Sequence, residues 1–176
     1  YEESFKLLTG SSERSFKTLL REMVRFYNYD IVFAEIPDEV SLALNITGCP
    51  NRCPGCHSTH LQQNIGDVLD ADALEVLMNI YGKAITCVCF MGGDGRASEI
   101  NALAAYMRTN YPELKTGWYS GREEMDSAID LKNFNYIKLG PYIEERGPLS
   151  SPTTNQRLLQ VLPDLTLSDI TYKLTK

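Results

Sequence analysis

The chain has 176 residues, 43% of them hydrophobic and 23% charged, which fits one globular domain with a real core. A net charge of −6 argues against a nucleic-acid binder, whose electrostatic footprint is basic. No run is apolar enough to span a bilayer and no signal-peptide pattern opens the chain, so five thiols point to a reducing, cytoplasmic compartment.

Residues 1–22 differ in character from the rest of the chain. Phe16, Leu19, Leu20 and Met23 fall at i, i+3, i+4 and i+7, one face of a short amphipathic helix that Ser11 or Ser12 would cap. The segment reads equally as an appended extension, with Met23 a plausible initiator, or as an N-terminal helix packed on the side of a domain spanning 23–176. Residues 29–36 (YDIVFAEI) have strand composition and end at the turn signal Pro37-Asp38. Residues 40–46 form a second strand, and the two pair naturally as a hairpin.

Thr47-Gly48 then releases the chain into Cys49-Pro50-Asn51-Arg52-Cys53-Pro54-Gly55-Cys56. Three thiols at C-x3-C-x2-C spacing on one short loop suit a metal, above all an iron–sulfur cluster. Pro50 and Pro54 keep the loop out of helix, and Gly55 allows a close backbone approach. No further Cys or acidic residue lies close by to complete a four-iron set, so one iron would keep an open position. The competing reading is a zinc knuckle with His57 or His60 as the fourth ligand; an inert thiol cluster is the third.

A helix is expected over 70–81, with Leu74, Leu77, Met78 and Tyr81 on its apolar face, a capping-box-like start at Asp72 and Glu75, and a stop at Gly82. Residues 85–90 (ITCVCF) are an uninterrupted apolar run, as expected of a parallel strand buried on both faces. Cys87 and Cys89 in it share a face at period 2 and read as core. Met91-Gly92-Gly93-Asp94-Gly95 makes a Gly-rich turn at that strand's end. It is neither G-x-G-x-x-G nor a Walker loop. Residues 98–107 read as a helix, 115–120 as a strand, 121–130 as a short helix carrying Met125 and Ile129, and 134–139 as a strand. Residues 143–157 are polar and irregular, and 158–161 and 170–174 look like short closing strands. Repeated βα units imply α/β architecture with a parallel sheet, in which sites gather at the C-terminal edge of the strands.

Two motifs in this order and context, C-x3-C-x2-C after a first strand and Gly-Gly-acid after a second, resemble the radical S-adenosylmethionine family. Gly48 to His57 (GCPNRCPGCH), Phe90 to Asp94 (FMGGD), Gly140 to Glu145 (GPYIEE) and Asn155-Gln156-Arg157 resemble, within it, the activating proteins of anaerobic ribonucleoside-triphosphate reductases. The resemblance covers roughly residue 23 to the mid-160s. It implies an incomplete, open parallel β/α barrel, a [4Fe–4S] cluster held by Cys49, Cys53 and Cys56, and S-adenosyl-L-methionine on the fourth iron. It implies further that Gly92, Gly93 and Asp94 receive the methionine amino group and that backbone at Gly55, Cys56 and His57 meets the adenine. Ser120 would face the ribose, with Lys138 on the next strand. Asp94 stands where Glu is more common, and Gly55 where many members carry an aromatic residue.

The domain from Met23 onward is far shorter than the about 250 residues of a full eight-fold barrel. An open side suits a loop of another protein as substrate, and the resemblance names a glycine-bearing segment of the anaerobic reductase, with a flavodoxin-like electron donor. Activation of another glycyl-radical enzyme, of the pyruvate formate-lyase kind, is the alternative within the same chemistry. No Ser/His/Asp arrangement or carboxylate dyad stands out as catalytic.

Overall fold

The computed structural model describes residues 23–175. The expected amphipathic helix and its Ser11 and Ser12 caps, apart from Met23, lie outside the described residues. The elements run β1 (Arg25–Val32), β2 (Ser41–Ile46), β3 (Asp67–Val68), α1 (Ala71–Tyr81), β4 (Cys87–Met91), α2 (Ala97–Asn110), β5 (Lys115–Tyr119), β6 (Tyr136–Leu139), β7 (Arg157–Val161) and β8 (Leu167–Asp169). They form one eight-stranded sheet of order β3-β1-β2-β4-β5-β6-β7-β8.

The sheet is mixed and open. Only β2, β4, β5 and β6 are mutually parallel. The β1–β2 hairpin forms as expected, and antiparallel strands flank the parallel block on both sides. Of the expectation of an incomplete parallel β/α barrel, the α/β class with a parallel centre is met; the sheet is mixed and open and shows no barrel, because antiparallel strands cap the parallel block on both sides. Its register lines up Asn45, Met91, Tyr119 and Lys138 on four neighbouring strands near their C-terminal edge.

Each parallel strand is apolar on both faces because both are covered. Leu42, Leu44, Ile46, Val88, Phe90, Trp118 and Ile137 share one core with Leu74, Leu77 and Met78 of α1 and Ile100, Leu103, Ala104 and Met107 of α2. Cys87, Cys89 and Tyr136 point the other way, into a second core with Ile36, Leu158 and Ile170. Cys87 and Cys89 are fully buried, and burial pushes the Cys87 thiol up to about 12, so both behave as small hydrophobes.

Several local expectations are corrected. The cap of α1 is Asp70, whose carboxylate accepts the Ala73 N–H at 2.9 Å, rather than the Asp72–Glu75 pair. Residues 121–130 make turns instead of a helix. Asp126 accepts the Ala128 N–H at 3.0 Å and pairs with Arg122 at 2.9 Å, which gives the backbone a local alternative to helical bonds. The stretch 170–174 is a 3-10 turn, because Asp169 accepts the Thr171 N–H and hydroxyl at 2.9 and 2.6 Å and bends the chain. The closing strand is β8 just before it. The first strand begins at Arg25, ahead of the predicted Tyr29, where Arg25 and Phe26 pair with Val68 and Asp67.

At the N-terminal edge of the parallel block, Glu39 is buried among the starts of four strands. One carboxylate oxygen accepts the Thr86 hydroxyl at 2.6 Å. The other accepts the Tyr136 hydroxyl at 2.8 Å and the Lys115 ammonium. Burial, then the hydrogen bond to Glu39, pushes the Tyr136 phenol up to about 12, and the bond to Glu39 raises Lys115. Among the described residues no helix is long and apolar enough to cross a membrane.

Candidate functional site

The cysteine loop leaves the C-terminal end of β2. Its base is clasped to the segment after it: Gly48 and Cys49 donate their N–H groups to the Gln63 and Leu61 carbonyls, both at 3.0 Å. Thr47 ties the same base to Ile65 O through its hydroxyl at 2.8 Å. Gly48, Arg52 and Gly55 sit at φ of 74°, 46° and 70°. Three left-handed residues coil the loop so tightly that Cys49, Cys53 and Cys56 are all half-buried and none is in a disulfide. Burial pushes the Cys49 thiol up, a hydrogen bond from the Asn51 backbone opposes this, and Asp94, Cys53 and Cys56 push it further up. The three thiols and the acid thus share one electrostatic environment. Among the described residues no group of three His, Cys, Asp or Glu is already drawn into metal-binding geometry.

The Gly-rich turn leaves the next parallel strand. Gly92 and Gly93 adopt φ of 107° and 89°, and a Cβ on Gly93 would lie 2.6 Å from the Ile100 side chain. Trp118 fixes the turn by donating its indole N–H to Gly92 O at 2.8 Å. Asp94 comes next, only 3% exposed. The Ser120 hydroxyl donates to its Oδ1 at 2.6 Å, the Gly121 N–H to its Oδ2 at 2.9 Å, and the Asn51 amide also to Oδ2. Arg122 donates to the Asp94 carbonyl at 2.8 Å, and its backbone N–H to Ser120 Oγ at 3.0 Å.

Lys138 reaches the same edge from β6. It is buried, and its ammonium donates to Gly140 O at 2.6 Å and Ser120 O at 3.3 Å. Burial lowers its pKa to about 8, while Asp94 and Cys53 pull it back up. The rim beyond β6 folds over the cysteine loop. His57 Nε2 lies 3.1 Å from the Tyr142 hydroxyl, with the rings edge-to-face at 5.0 Å. A Cβ on Gly55 would lie 2.9 Å from Glu144 Oε2, so Glu144 packs directly over this glycine. His60 packs edge-on against Tyr27 at 5.0 Å. Both histidines available to a zinc knuckle are therefore engaged with tyrosines. Further along the rim, Asn155 donates to Pro141 O at 3.0 Å, and Arg157 lines a small cavity of about 220 Å³ with Glu123, Leu139 and Gly140.

All the singled-out residues thus gather at one edge: Cys49, Cys53, Gly55, Cys56 and His57 on the loop, then Gly92, Gly93, Asp94, Ser120 and Lys138 at the ends of three successive strands. Ser120 and Lys138 arrive as supports of Asp94 and of the β6 turn, since their polar atoms bond there. Asn51, Gly121, Arg122 and Tyr142 were not assigned roles from the sequence, although Asn51 and Tyr142 stand within the quoted stretches GCPNRCPGCH and GPYIEE.

Fold and site together define an α/β protein with a three-thiol loop at the C-terminal edge of its parallel strands. A family model described as 4Fe-4S single cluster domain matches residues 40–138, more than half of the chain, from the start of β2 into β6. The chain belongs to this family and is an iron–sulfur protein. No curated protein and no solved structure matches it significantly. The residues present fit such a cluster: three soft thiols, half-buried on one coiled loop, are the donors that iron–sulfur chemistry requires.

Proposed function

We propose that the protein is a radical S-adenosylmethionine enzyme that activates an anaerobic ribonucleoside-triphosphate reductase by installing its glycyl radical. The observation that carries this reading is that the cysteine loop and the Gly92-Gly93-Asp94 turn meet at one sheet edge, joined by the Asn51–Asp94 hydrogen bond. Cys49, Cys53 and Cys56 would hold three irons and leave the fourth for the cofactor. A reduced cluster held there would supply the one-electron reduction of the S-adenosyl-L-methionine sulfonium on which hydrogen-atom removal from the target glycine depends.

The chain's own residues bind, orient and exclude. Asp94 is a buried carboxylate whose two oxygens are held by uncharged donors, which suits the methionine ammonium. Gly92 and Gly93 present bare backbone beside it. Gly55, Cys56 and His57 offer backbone to the adenine, with Tyr142 and Glu144 forming the cover above them. Ser120 serves best by orienting Asp94, and Lys138 by placing a positive charge near Cys53 and Asp94. The open sheet leaves room for a loop of the partner, and the irregular stretch 141–157, through Glu144 and Arg157, helps dock it. A flavodoxin-like protein is the expected electron donor.

The test is an anaerobic incubation of the reconstituted protein with S-adenosyl-L-methionine, a strong reductant and the reductase. An electron paramagnetic resonance doublet that grows on the reductase, and is absent with a pyruvate formate-lyase-type partner, supports the reading. A doublet on the formate-lyase partner instead would move the activity to that class. Partner binding unchanged in the Glu144→Ala, Arg157→Ala double variant would remove the docking role.

A further inference from the structure

Asn51 lies between the first two cysteines of the loop, and neither cluster ligation nor cofactor contact requires it. Its position is nonetheless specific. Its side-chain amide donates to Asp94 Oδ2, across 43 residues. Asp94 receives two other donors, Ser120 and Gly121, and both come from the end of β5. Asn51 is the donor on this carboxylate that comes from the cysteine loop.

The surroundings are shaped to it. A Cβ at Gly121 would collide with the Asn51 amide, so position 121 must stay bare for the contact to form. The chemistry of the side chain matters as much. An amide donates a hydrogen bond without a positive charge, so the latch itself brings no cation to Asp94, as a cationic ligand there requires. A Lys or Arg in the same place would neutralise the acid, and an Asp would repel it.

We propose that Asn51 is a positioning residue that latches the cysteine loop to Asp94, so that the three thiols and the acidic turn are set as one unit. Its effect on the cofactor rests on the proposed function; its effect on the loop does not. Because linkage is reciprocal, ordering the loop favours a ligand on Asp94, and a ligand on Asp94 favours the ordered loop.

The test has two arms. In the metal-free protein, the labelling rates of Cys49, Cys53 and Cys56 with a maleimide are measured by peptide mapping, with Cys87 and Cys89 as buried controls. Asn51→Ala is expected to label about tenfold faster, the scale of one hydrogen bond to a charged group. The reversed pair Asn51→Asp with Asp94→Asn re-forms the latch but turns the amide donor toward the Gly121 N–H, so it is expected to restore protection in part, to a rate between those of the native protein and Asn51→Ala. Should the controls also label in Asn51→Ala, Asn51→Ser replaces it. In the cluster-loaded protein, equilibrium dialysis at matched iron content measures S-adenosyl-L-methionine affinity. Asn51→Ala is expected to bind about tenfold more weakly. The reversed pair is expected to bind as weakly although its loop is latched, because the charge has left position 94. Native labelling rates in Asn51→Ala, or faster labelling with native cofactor affinity, would overturn the proposal. A loaded native protein that binds no S-adenosyl-L-methionine would refute the proposed function instead, while the labelling arm still decides the latch.

Discussion

Two buried carboxylates close the two ends of the same parallel strands, and they are held in opposite ways. Glu39, at the N-terminal edge, takes an ammonium, a phenol and a hydroxyl from Lys115, Tyr136 and Thr86. Its charge is cancelled, and its partners come from strand starts that it pins together. Asp94, at the C-terminal edge, takes an amide, a hydroxyl and a backbone N–H. The nearby cations, Lys138 and Arg122, donate to carbonyls instead. A satisfied and neutralised acid is a structural staple. An acid whose oxygens are held only by uncharged donors is arranged to suit a cationic ligand. The loop carrying the thiols emerges at the second end.

The largest contrast comes from removing each acid. Glu39→Ala should cost about 2 kcal/mol in urea denaturation, chiefly because it strands the buried Tyr136 hydroxyl, while Thr86 keeps its bond to the Val40 N–H and the half-exposed Lys115 adds only a small share. It should leave iron loading unchanged. Asp94→Asn keeps most of its hydrogen bonds and should cost about 1 kcal/mol, yet lower cofactor affinity more than tenfold in dialysis. Equal stability losses in the two variants would erase the distinction.

Gly93→Ala comes next. It combines a φ of 89° with a contact of 2.6 Å to Ile100, and should cost about 2 kcal/mol by the same measurement.

The alkaline limb of stability separates the two ends by sign. Tyr136 has a folded pKa of about 12 against 10.0, so it holds its proton longer folded than unfolded. Its stabilisation is present below pH 10 and lost as pH rises towards 12. Lys115 is raised above 10.5, so its contribution is likewise complete below 10.5 and lost above it. Lys138 is lowered to about 8 from 10.5, so the folded state sheds its proton first. Its charged form penalises the fold below pH 8, and the penalty is relieved as pH climbs from 8 to 10.5. Urea midpoints measured against pH should therefore fall less steeply above pH 10 in Tyr136→Phe. Lys138→Met should lose the gain between pH 8 and 10.5. The smallest effect is expected of Ser120→Ala, about 1 kcal/mol, as one hydroxyl leaves a carboxylate with two other donors.

The parallel centre was legible because its strands are apolar runs with β-branched and aromatic content, and the helices because Leu74, Leu77 and Met78, or Ile100, Leu103 and Met107, repeat at helical spacing. The site's place was legible for a related reason: a C-x3-C-x2-C loop and a Gly-Gly-Asp turn each come directly after such a strand, and parallel strands end on one edge. What escaped was long-range or local chemistry that periodicity does not carry. Asn51 meets Asp94 across 43 residues, and Glu39 meets Tyr136 across 97. No spacing rule pairs them. The 121–130 segment has the apolar spacing of a helix, but the Asp126 carboxylate captures the Ala128 N–H and the chain turns instead. The two-residue strand β3 is too short to show any period.

Whether the thiol loop and the acidic turn form one cofactor site is tested most directly by anaerobic reconstitution with iron and sulfide. The assay then measures 5′-deoxyadenosine after adding S-adenosyl-L-methionine and a strong reductant. A single shared site predicts a brown protein that releases 5′-deoxyadenosine, with both colour and product lost in Cys53→Ala, and product alone lost in Asp94→Asn. A brown protein that releases none, or one whose product is untouched by Asp94→Asn, would contradict it.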